Sequence, residues 1–396
     1  VGEVIDRAGR RRDIHLKGAG QTPFSRSGDG RAALGPALRE YLVSEAMHAL
    51  GISTTRSLAV VATGETVYRD RALPGAVITR IAASHVRAGT FEYFAARGDD
   101  EALRELASHV IERLYPQARE AEVPALALLE AVIERQARLV AQWLHVGFIH
   151  GVMNTDNMAV SGETLDFGPC AFMDEYHPGT VFSSIDQGGR YAYGNQPRIA
   201  LWNLARLAET LLPQLDGDEQ AAIARANAAL AAFNARFAGH WLDGMRRKLG
   251  LATAEPADRE LADALLDAMQ DAGADHTLTF RALCTAAFGD ETALRGQFAQ
   301  QAPLDAWLAR WRRRLAQDSL DPGERAATMR LASPAFIPRN HRVEQALAAA
   351  VEHGDLAPFE RLLAVLRRPF DDQPDSAAYA TPPRPEERVL QTFCGT

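Results

Sequence analysis

The segment His150-Gly151-Val152-Met153-Asn154-Thr155-Asp156-Asn157, followed shortly by Leu165-Asp166-Phe167-Gly168, decides how this chain is read. Moving a phosphorus group from a nucleotide to a hydroxyl needs a carboxylate that accepts the hydroxyl proton. It also needs an Asn and an Asp that hold metal ions against the polyphosphate. The loop bearing Asp156 and Asn157 and the short apolar stretch ending in Asp166 supply those three groups. Asp-Asn dipeptides also form plain Asx turns, so this segment alone leaves both readings open.

Toward the N-terminus, Asp13-Ile14-His15-Leu16-Lys17 alternates polar and apolar residues and runs into Gly18-Ala19-Gly20, which predicts a strand entering a loop with Lys17 at its end. Pro36 and Gly51 bracket a helix over 36–50 in which Leu38, Leu42, Ala46 and Ala49 share a face and Glu40 sits early. In a kinase architecture a strand lysine touches the phosphates and a helix glutamate holds it in place, and Lys17 and Glu40 fit those two positions. Each also has an ordinary reading, the lysine as a solvated loop residue and the glutamate as a favourable neighbour of the helix dipole. Their joint occurrence with 150–168 favours the paired reading. Further strands are predicted at 57–62 and 75–81.

From about residue 100 the pattern turns helical, over 103–113, 124–147, 198–250, 257–272, 290–316 and 341–366, with 148–175 as an interruption of short apolar pieces and turn residues. Pro374, Pro382, Pro383 and Pro385 predict an extended, mobile end from 370. The expected fold class is α+β, a protein-kinase-like arrangement of two lobes. Residues 1–97 form a small β-rich N-lobe, truncated at its start, that binds nucleotide phosphates. Residues 98–370 form a large, mostly helical C-lobe with the catalytic and metal-binding loops, and 371–396 form a flexible tail.

Composition narrows the class. The 396 residues are 47% hydrophobic and 24% charged, values of an ordinary folded chain. Lys and Arg number 43 against 51 Asp and Glu, a net charge of −8, so the overall basic field that attracts nucleic acid is missing. Cys170, Cys284 and Cys394 form neither a metal-ligand spacing nor a disulfide framework, which suits a reducing compartment, and the cytoplasm is expected. No run of about 18 apolar residues suggests a membrane span. The start, Val1-Gly2-Glu3-Val4 with Arg10-Arg11-Arg12 behind it, lacks the apolar core of a signal peptide and reads as a fragment whose true N-terminus lies upstream.

Longer stretches then carry a family resemblance. Leu16 to Arg26, Ser27 to Ala32, Arg39-Glu40-Tyr41-Leu42 with Ser44-Glu45-Ala46-Met47, Gly75 to Arg80, Ser84-His85-Val86-Arg87 with Gly89-Thr90-Phe91-Glu92, His150 to Met158, and Gly188 to Tyr193 with Asn195-Gln196-Pro197 resemble the SelO family, also called YdiU. The likeness is dense to about residue 205 and looser beyond. It implies a protein-kinase-like fold that binds ATP in a flipped pose, with the α-phosphate facing the acceptor, so that AMP is transferred to Ser, Thr or Tyr hydroxyls of proteins, and UMP where UTP is used. By position, Asp156 resembles the proton acceptor, Asn157 and Asp166 the ligands of Mg²⁺ or Mn²⁺, and Lys17 the phosphate-binding lysine held by Glu40. Asp29 and Gly30 match nucleotide-contacting positions, and Arg80 and Arg87 match arginines that embrace the buried phosphates.

The chain departs from the family at three points. Upstream glycines and an arginine of the phosphate-cradling loop are not in it, Phe182 stands where some relatives carry a cysteine that pairs near the C-terminus, and Cys394 stands where eukaryotic relatives carry selenocysteine. Cys394 is expected as an exposed thiol. His150 is expected to orient the loop through backbone hydrogen bonds, and Trp202, with Leu201 and Leu204, to pack in the core, while His85 has no assigned role. Two rival readings stay in play, a γ-phosphotransferase of kinase-like fold and an inactive pseudokinase scaffold.

Overall fold

The computed structural model describes residues 2–22, 25 and 28–393. Cys394, and the Pro23, Phe24, Arg26 and Ser27 of the resembling stretches, lie outside the described residues.

The fold opens with a hairpin of β1 (Gly2–Ile5) and β2 (Arg11–Lys17), turned at Asp6, whose carboxylate accepts from the Ala8 and Arg10 amides. Then come β3 (Ala32–Ala33), α1 (Leu34–Ala49), β4 (Arg56–Tyr68) and β5 (Ala72–Ala82). The spine of this antiparallel sheet is β5. One of its edges pairs with β2 and then β3, as Lys17 faces Ile78 and Ala32 faces Ala76, and its other edge pairs with β4. His15 lies opposite Arg80. Because side chains alternate across a pleat, His15, Lys17 and Arg80 project from one face of the sheet.

Helices dominate the rest: α2 (Ala88–Ala95), α3 (Asp100–Leu114) and α4 (Pro124–His145) lead into the short hairpin strands β6 (Phe148–Ile149) and β7 (Ala171–Phe172). After them come α5 (Gln196–Leu215), α6 (Glu219–Leu249), α7 (Asp258–Ala272), α8 (His276–Ala286), α9 (Thr292–Arg295), α10 (Gln301–Leu315), α11 (Pro322–Ala332), α12 (Asn340–His353) and α13 (Ala357–Leu366). The chain is thus a mixed α+β protein, with a small antiparallel sheet and a larger helical part, consistent with a two-lobe kinase-like fold.

Several predicted helices are divided. The helix predicted over 198–250 breaks at Asp216-Gly217-Asp218, where the Asp218 carboxylate caps α6 by accepting from the Ala221 amide at 2.8 Å. The one predicted over 341–366 breaks at Gly354, which takes φ +67° to end α12. Within 290–316, α9 and α10 are separate. Helix α8, which was not predicted, buries His276, Thr277, Thr279 and Cys284 along with its apolar residues, so it presents no polar stripe to reveal its period.

Three packed regions result. Helices α2 to α6 enclose one core, centred on Leu129, Val132, Phe148 and Phe233. A second core lies among α6, α7, α8 and α10. In the third, Leu38, Leu42 and Ala46 of α1 meet Val343, Leu347, Phe359 and Leu363 of α12 and α13, so the far end of the chain folds back onto the first helix. Arg39 reinforces this return, donating to Glu344 on α12 at 2.9 Å and to the Cys170 carbonyl at 2.5 Å.

The segment 371–393, expected as an extended tail, carries 3-10 turns at Pro374–Tyr379 and Pro385–Glu387. It then runs beside residues 182–184: the Thr392 amide donates to Phe182 O at 2.7 Å and its hydroxyl to Pro169 O at 2.5 Å. Among the described residues no helix is long and apolar enough to cross a membrane.

Candidate active site

Where the sheet face meets the helical part, four charged side chains converge. Lys17 Nζ lies 3.1 Å from Glu40 Oε2 and 3.1 Å from Asp166 Oδ1. Arg80, only 2% exposed, pairs with both oxygens of Glu40 and lies 3.4 Å from Asp166 Oδ2. Two cations and two carboxylates thus form a closed ring linking β2, β5, α1 and the Asp-Phe-Gly-like segment. Burial by itself would push the Glu40 and Asp166 carboxyls upward, but Arg80 and Lys17 reverse this and hold both below the ordinary range. Burial opposes the charge of Arg80 as well, and Glu40 and Asp166 overcome it, so the guanidinium is held more firmly protonated than usual.

Asp166 has φ +65°, the one positive φ of a non-glycine residue among those described. For an L-residue this costs about 1 kcal/mol or more, kept only where the surroundings over-determine it. Here the ring of ion pairs does so. Phe167 and Leu165 on either side are fully buried and anchor the backbone.

The loop before it is fixed from beneath. His150 is buried, its Nε2 bonded to Leu165 O at 2.9 Å and its Nδ1 accepting from the Val152 amide at 3.4 Å, while its own amide donates to Gln196 Oε1. Burial pushes its pKa down, so the imidazole is a neutral brace. Asn203 on α5 donates to Met153 O at 3.0 Å. Asn157 Nδ2 donates to Val152 O at 2.9 Å, which leaves Oδ1 as the acceptor of that amide.

Asp156 lies against the start of α2: a Cβ built on Gly89 would fall 2.2 Å from Asp156 Oδ1. Arg87 reaches the same place because residues 86–88 run antiparallel to 158–160, with Ala88 N donating to Met158 O and Val160 N to Val86 O. Burial and the neighbouring Arg80 push the Arg87 pKa down, while Asp166, Asp156 and Glu40 draw it back up.

Asp29 and Gly30 lie in the loop between β2 and β3. Both Asp29 oxygens are taken by Arg69, at 2.9 and 3.0 Å, and Arg69 holds the exposed carboxyl at about 2. Gly30, at φ +67°, closes against Gly20: a Cβ there would fall 2.1 Å from Gly20 O.

The predicted residues Lys17, Glu40, Arg80 and Asp166 therefore form one cluster, and Arg87 feels both Asp166 and Asp156. Asn157 follows Asp156 in the same turn and bonds back to Val152 O, while Asp29 and Gly30 lie in the loop between β2 and β3, tied to Arg69 and Gly20, with no contact to the cluster among the described residues. Trp202 departs from expectation. Leu204 is core, but Trp202 is 40% exposed, with the guanidiniums of Arg190 and Arg206 at 4.7 and 5.6 Å from its ring. The place of Gly89 against Asp156 was not foreseen; its signal is a glycine next to the start of a helix that faces the loop bearing Asp156.

The donor set fits a hard divalent cation. Asp166 and Asn157 offer a carboxylate and an amide oxygen and no sulfur or imidazole, the preference of Mg²⁺ and Mn²⁺. Among the described residues no three His, Cys, Asp or Glu side chains form a metal cage. A cation held here would fill its shell with phosphate oxygens and water.

Comparison with known proteins agrees with this arrangement. Residues 1–367 match the family described as "Protein adenylyltransferase SelO". Proteins named "Protein nucleotidyltransferase YdiU" from Rhizobium etli (strain CIAT 652), Rhizobium meliloti (strain 1021) and Bradyrhizobium sp. (strain BTAi1) are 64, 63 and 64% identical to it. Each alignment covers 100% of this chain and 80, 81 and 81% of the respective relative. With a family match across most of its length and relatives this similar, the chain belongs to the SelO family of protein adenylyltransferases.

Proposed function

We propose that this nucleotidyltransferase moves AMP from ATP to a Ser, Thr or Tyr hydroxyl of a protein. The observation that carries the reading is the ring of Lys17, Glu40, Arg80 and Asp166, with Asp156 and Asn157 on the loop that precedes Asp166. Lys17, Arg80 and Arg87 offer charge-assisted donors to a polyphosphate, and Arg80 cannot lose its charge there. Asp29 and Gly30 form the rim that the nucleotide meets on entry. Asp156 accepts the proton of the acceptor hydroxyl as its oxygen attacks the α-phosphorus. The bond from that phosphorus to the bridging oxygen breaks, pyrophosphate departs with the bonding pair, and the AMP–oxygen bond forms. Asn157 and Asp166 would hold Mg²⁺ or Mn²⁺, which supplies neutralisation of charge on the phosphate oxygens.

The test is incubation with a protein acceptor and ATP labelled at the α- or, separately, the γ-phosphate. Metal-dependent labelling from the α-position alone is expected, with α-labelled UTP as a parallel donor. Labelling from the γ-position alone would assign a phosphotransferase, and no labelling with nucleotide still bound would assign a pseudokinase.

A further inference from the structure

Gly188-Gly189-Arg190-Tyr191, in one of the stretches that carry the family resemblance, takes no part in the chemistry above. It is a fixed turn. The buried Asp186 carboxylate accepts from the Arg190 amide at 2.8 Å and from the Tyr191 amide at 2.7 Å, and Asn195 Nδ2 donates to Gly189 O at 2.7 Å. Tyr191 packs against the first core, so the backbone is held on both sides of Arg190. Arg190 itself is exposed, and its guanidinium lies over the Trp202 ring, 4.7 Å from the centroid, with that of Arg206 at 5.6 Å.

Arg198, Trp202 and Arg206 recur at four-residue spacing on α5 and so form one stripe along the helix. Of the five tryptophans, Trp202 alone is exposed. Charge on the stripe is unbalanced. Among the described residues Glu209 is the carboxylate that pairs with Arg206, while the side chains of Arg190 and Arg198 form neither an ion pair nor a hydrogen bond. The chain as a whole carries −8, so these guanidiniums stand against its general field. A guanidinium drawn onto an indole keeps its N–H donors for a carboxylate, and it is ordered before a ligand arrives. Arginine and tryptophan together are also the residues that most often anchor protein interfaces.

The same helix supports the loop that bears Asp156. Asn203, beside Trp202, donates to Met153 O at 3.0 Å, and Gln196, two residues before Arg198, holds the His150 amide and Phe148 O. One face of α5 thus fixes that loop while another carries the stripe, and the two keep a constant relation. Arg198 and Arg206 stand about 12 Å apart along the helix axis, a length that about four residues of extended chain cover.

We propose that Arg190, Arg198, Trp202 and Arg206 form a docking surface for an acidic segment of the acceptor protein, laid extended along α5 with its carboxylates on the guanidiniums. The proposal rests on the protein-acceptor reading above. Its charges face water, so docking weakens as salt rises.

The experiment uses three short peptides with one central serine, bearing aspartates about four residues apart on both sides of it, or asparagines or lysines at the same places. Binding to this chain is read by fluorescence anisotropy of labelled peptide and by protection of tryptophan emission from acrylamide. Transfer is read from α- and, separately, γ-labelled ATP. The aspartate peptide should bind the parent at least about tenfold more tightly than the asparagine peptide, and the lysine peptide more weakly than either. Arg190→Gln combined with Arg198→Gln should erase that preference and raise KM for the aspartate peptide about tenfold, with kcat within about twofold. Both arginines are exposed and pair with no carboxylate, so the double variant should melt like the parent. Trp202→Leu should lose the acrylamide protection and bind the aspartate peptide several-fold more weakly. Calorimetry with the non-cleavable α,β-methylene analogue of ATP should give the parent's affinity in every variant, which sets docking apart from nucleotide binding. Equal binding of the aspartate and asparagine peptides by the parent, or a double variant that still prefers aspartate, overturns the surface. So does a single-stranded oligonucleotide that displaces the aspartate peptide through the same arginines at physiological salt, which assigns the stripe to nucleic acid. An arginine-dependent preference for aspartate supports the surface whichever label is incorporated. Incorporation from γ-labelled ATP alone removes the AMP reading and leaves the surface standing.

Discussion

Glu40 serves two cations, and this changes what its removal should do. Glu40→Ala strips Lys17 of its anchor and also leaves Arg80, at 2% exposure, with only the longer 3.4 Å approach to Asp166. Breaking a buried pair on one side costs about 3–5 kcal/mol, so Glu40→Ala should lower the melting temperature sharply. Lys17→Ala, at a site 16% exposed, should lower the melt less than Glu40→Ala, because Arg80 still pairs with both carboxylates, while abolishing nucleotide transfer. The double variant should be little less active than Lys17→Ala alone, since residues acting as a unit do not add. Melting curves and α-label transfer, measured side by side, check all three. Asp166→Asn should reduce transfer by at least about a hundredfold, by removing a charge the polyphosphate site needs; α-label incorporation at saturating metal measures it. Lys17, Glu40 and Asp166 were legible because the kinase arrangement asks for those three types in that order. The grip of Arg80 on Glu40 was not, because it follows from a cross-strand register that puts Arg80 opposite His15. Nor could the sequence show that Arg69 occupies the Asp29 carboxylate, an ion pair between separate loops.

Among the elements, the contact of α2 with the loop bearing Asp156 is the most exacting. Gly89 lets the helix start touch the Asp156 carboxylate, and an added methyl would have to push that carboxylate aside. Gly89→Ala should therefore cut kcat for AMP transfer by about tenfold or more, the scale on which a misplaced general base loses rate, while the affinity for the triphosphate analogue stays within about twofold. Steady-state kinetics and calorimetry on the same preparation test this, and a normal kcat would remove the contact from the mechanism. Helices with one polar face, such as α3 and α4, were legible from periodicity. Helix α8 was not, since nearly all its residues are enclosed, and the break between α5 and α6 hinges on a single capping side chain, Asp218. Trp202 misled because Leu204 is core and Leu201 packs partly against it, whereas the position of Trp202 on α5 turns its ring outward onto two arginines.

For the molecule as a whole, a lysine buried far from the site sets a pH dependence. Lys248 on α6 is 2% exposed, with its ammonium 4.4 Å from the Phe280 ring centroid, and burial pushes it down to about 7. Between that value and its ordinary value near 10.5 the unfolded chain holds a proton that the folded chain has released. Stability therefore rises with pH across that window, at up to about 1.4 kcal/mol per pH unit, and is flat below about 7. Lys248→Met should flatten the rise and raise the melting temperature at neutral pH; denaturant midpoints from pH 6 to 10 measure both. The packing of α12 and α13 onto α1 has a further consequence, for synthesis on the ribosome. Leu38, Leu42 and Ala46 emerge early but find Val343, Leu347 and Phe359 only when almost the whole chain has been translated. Until then the nascent first lobe exposes an apolar helix face, and chaperone occupancy of ribosome-bound chains should persist until residues 340–366 have left the exit tunnel.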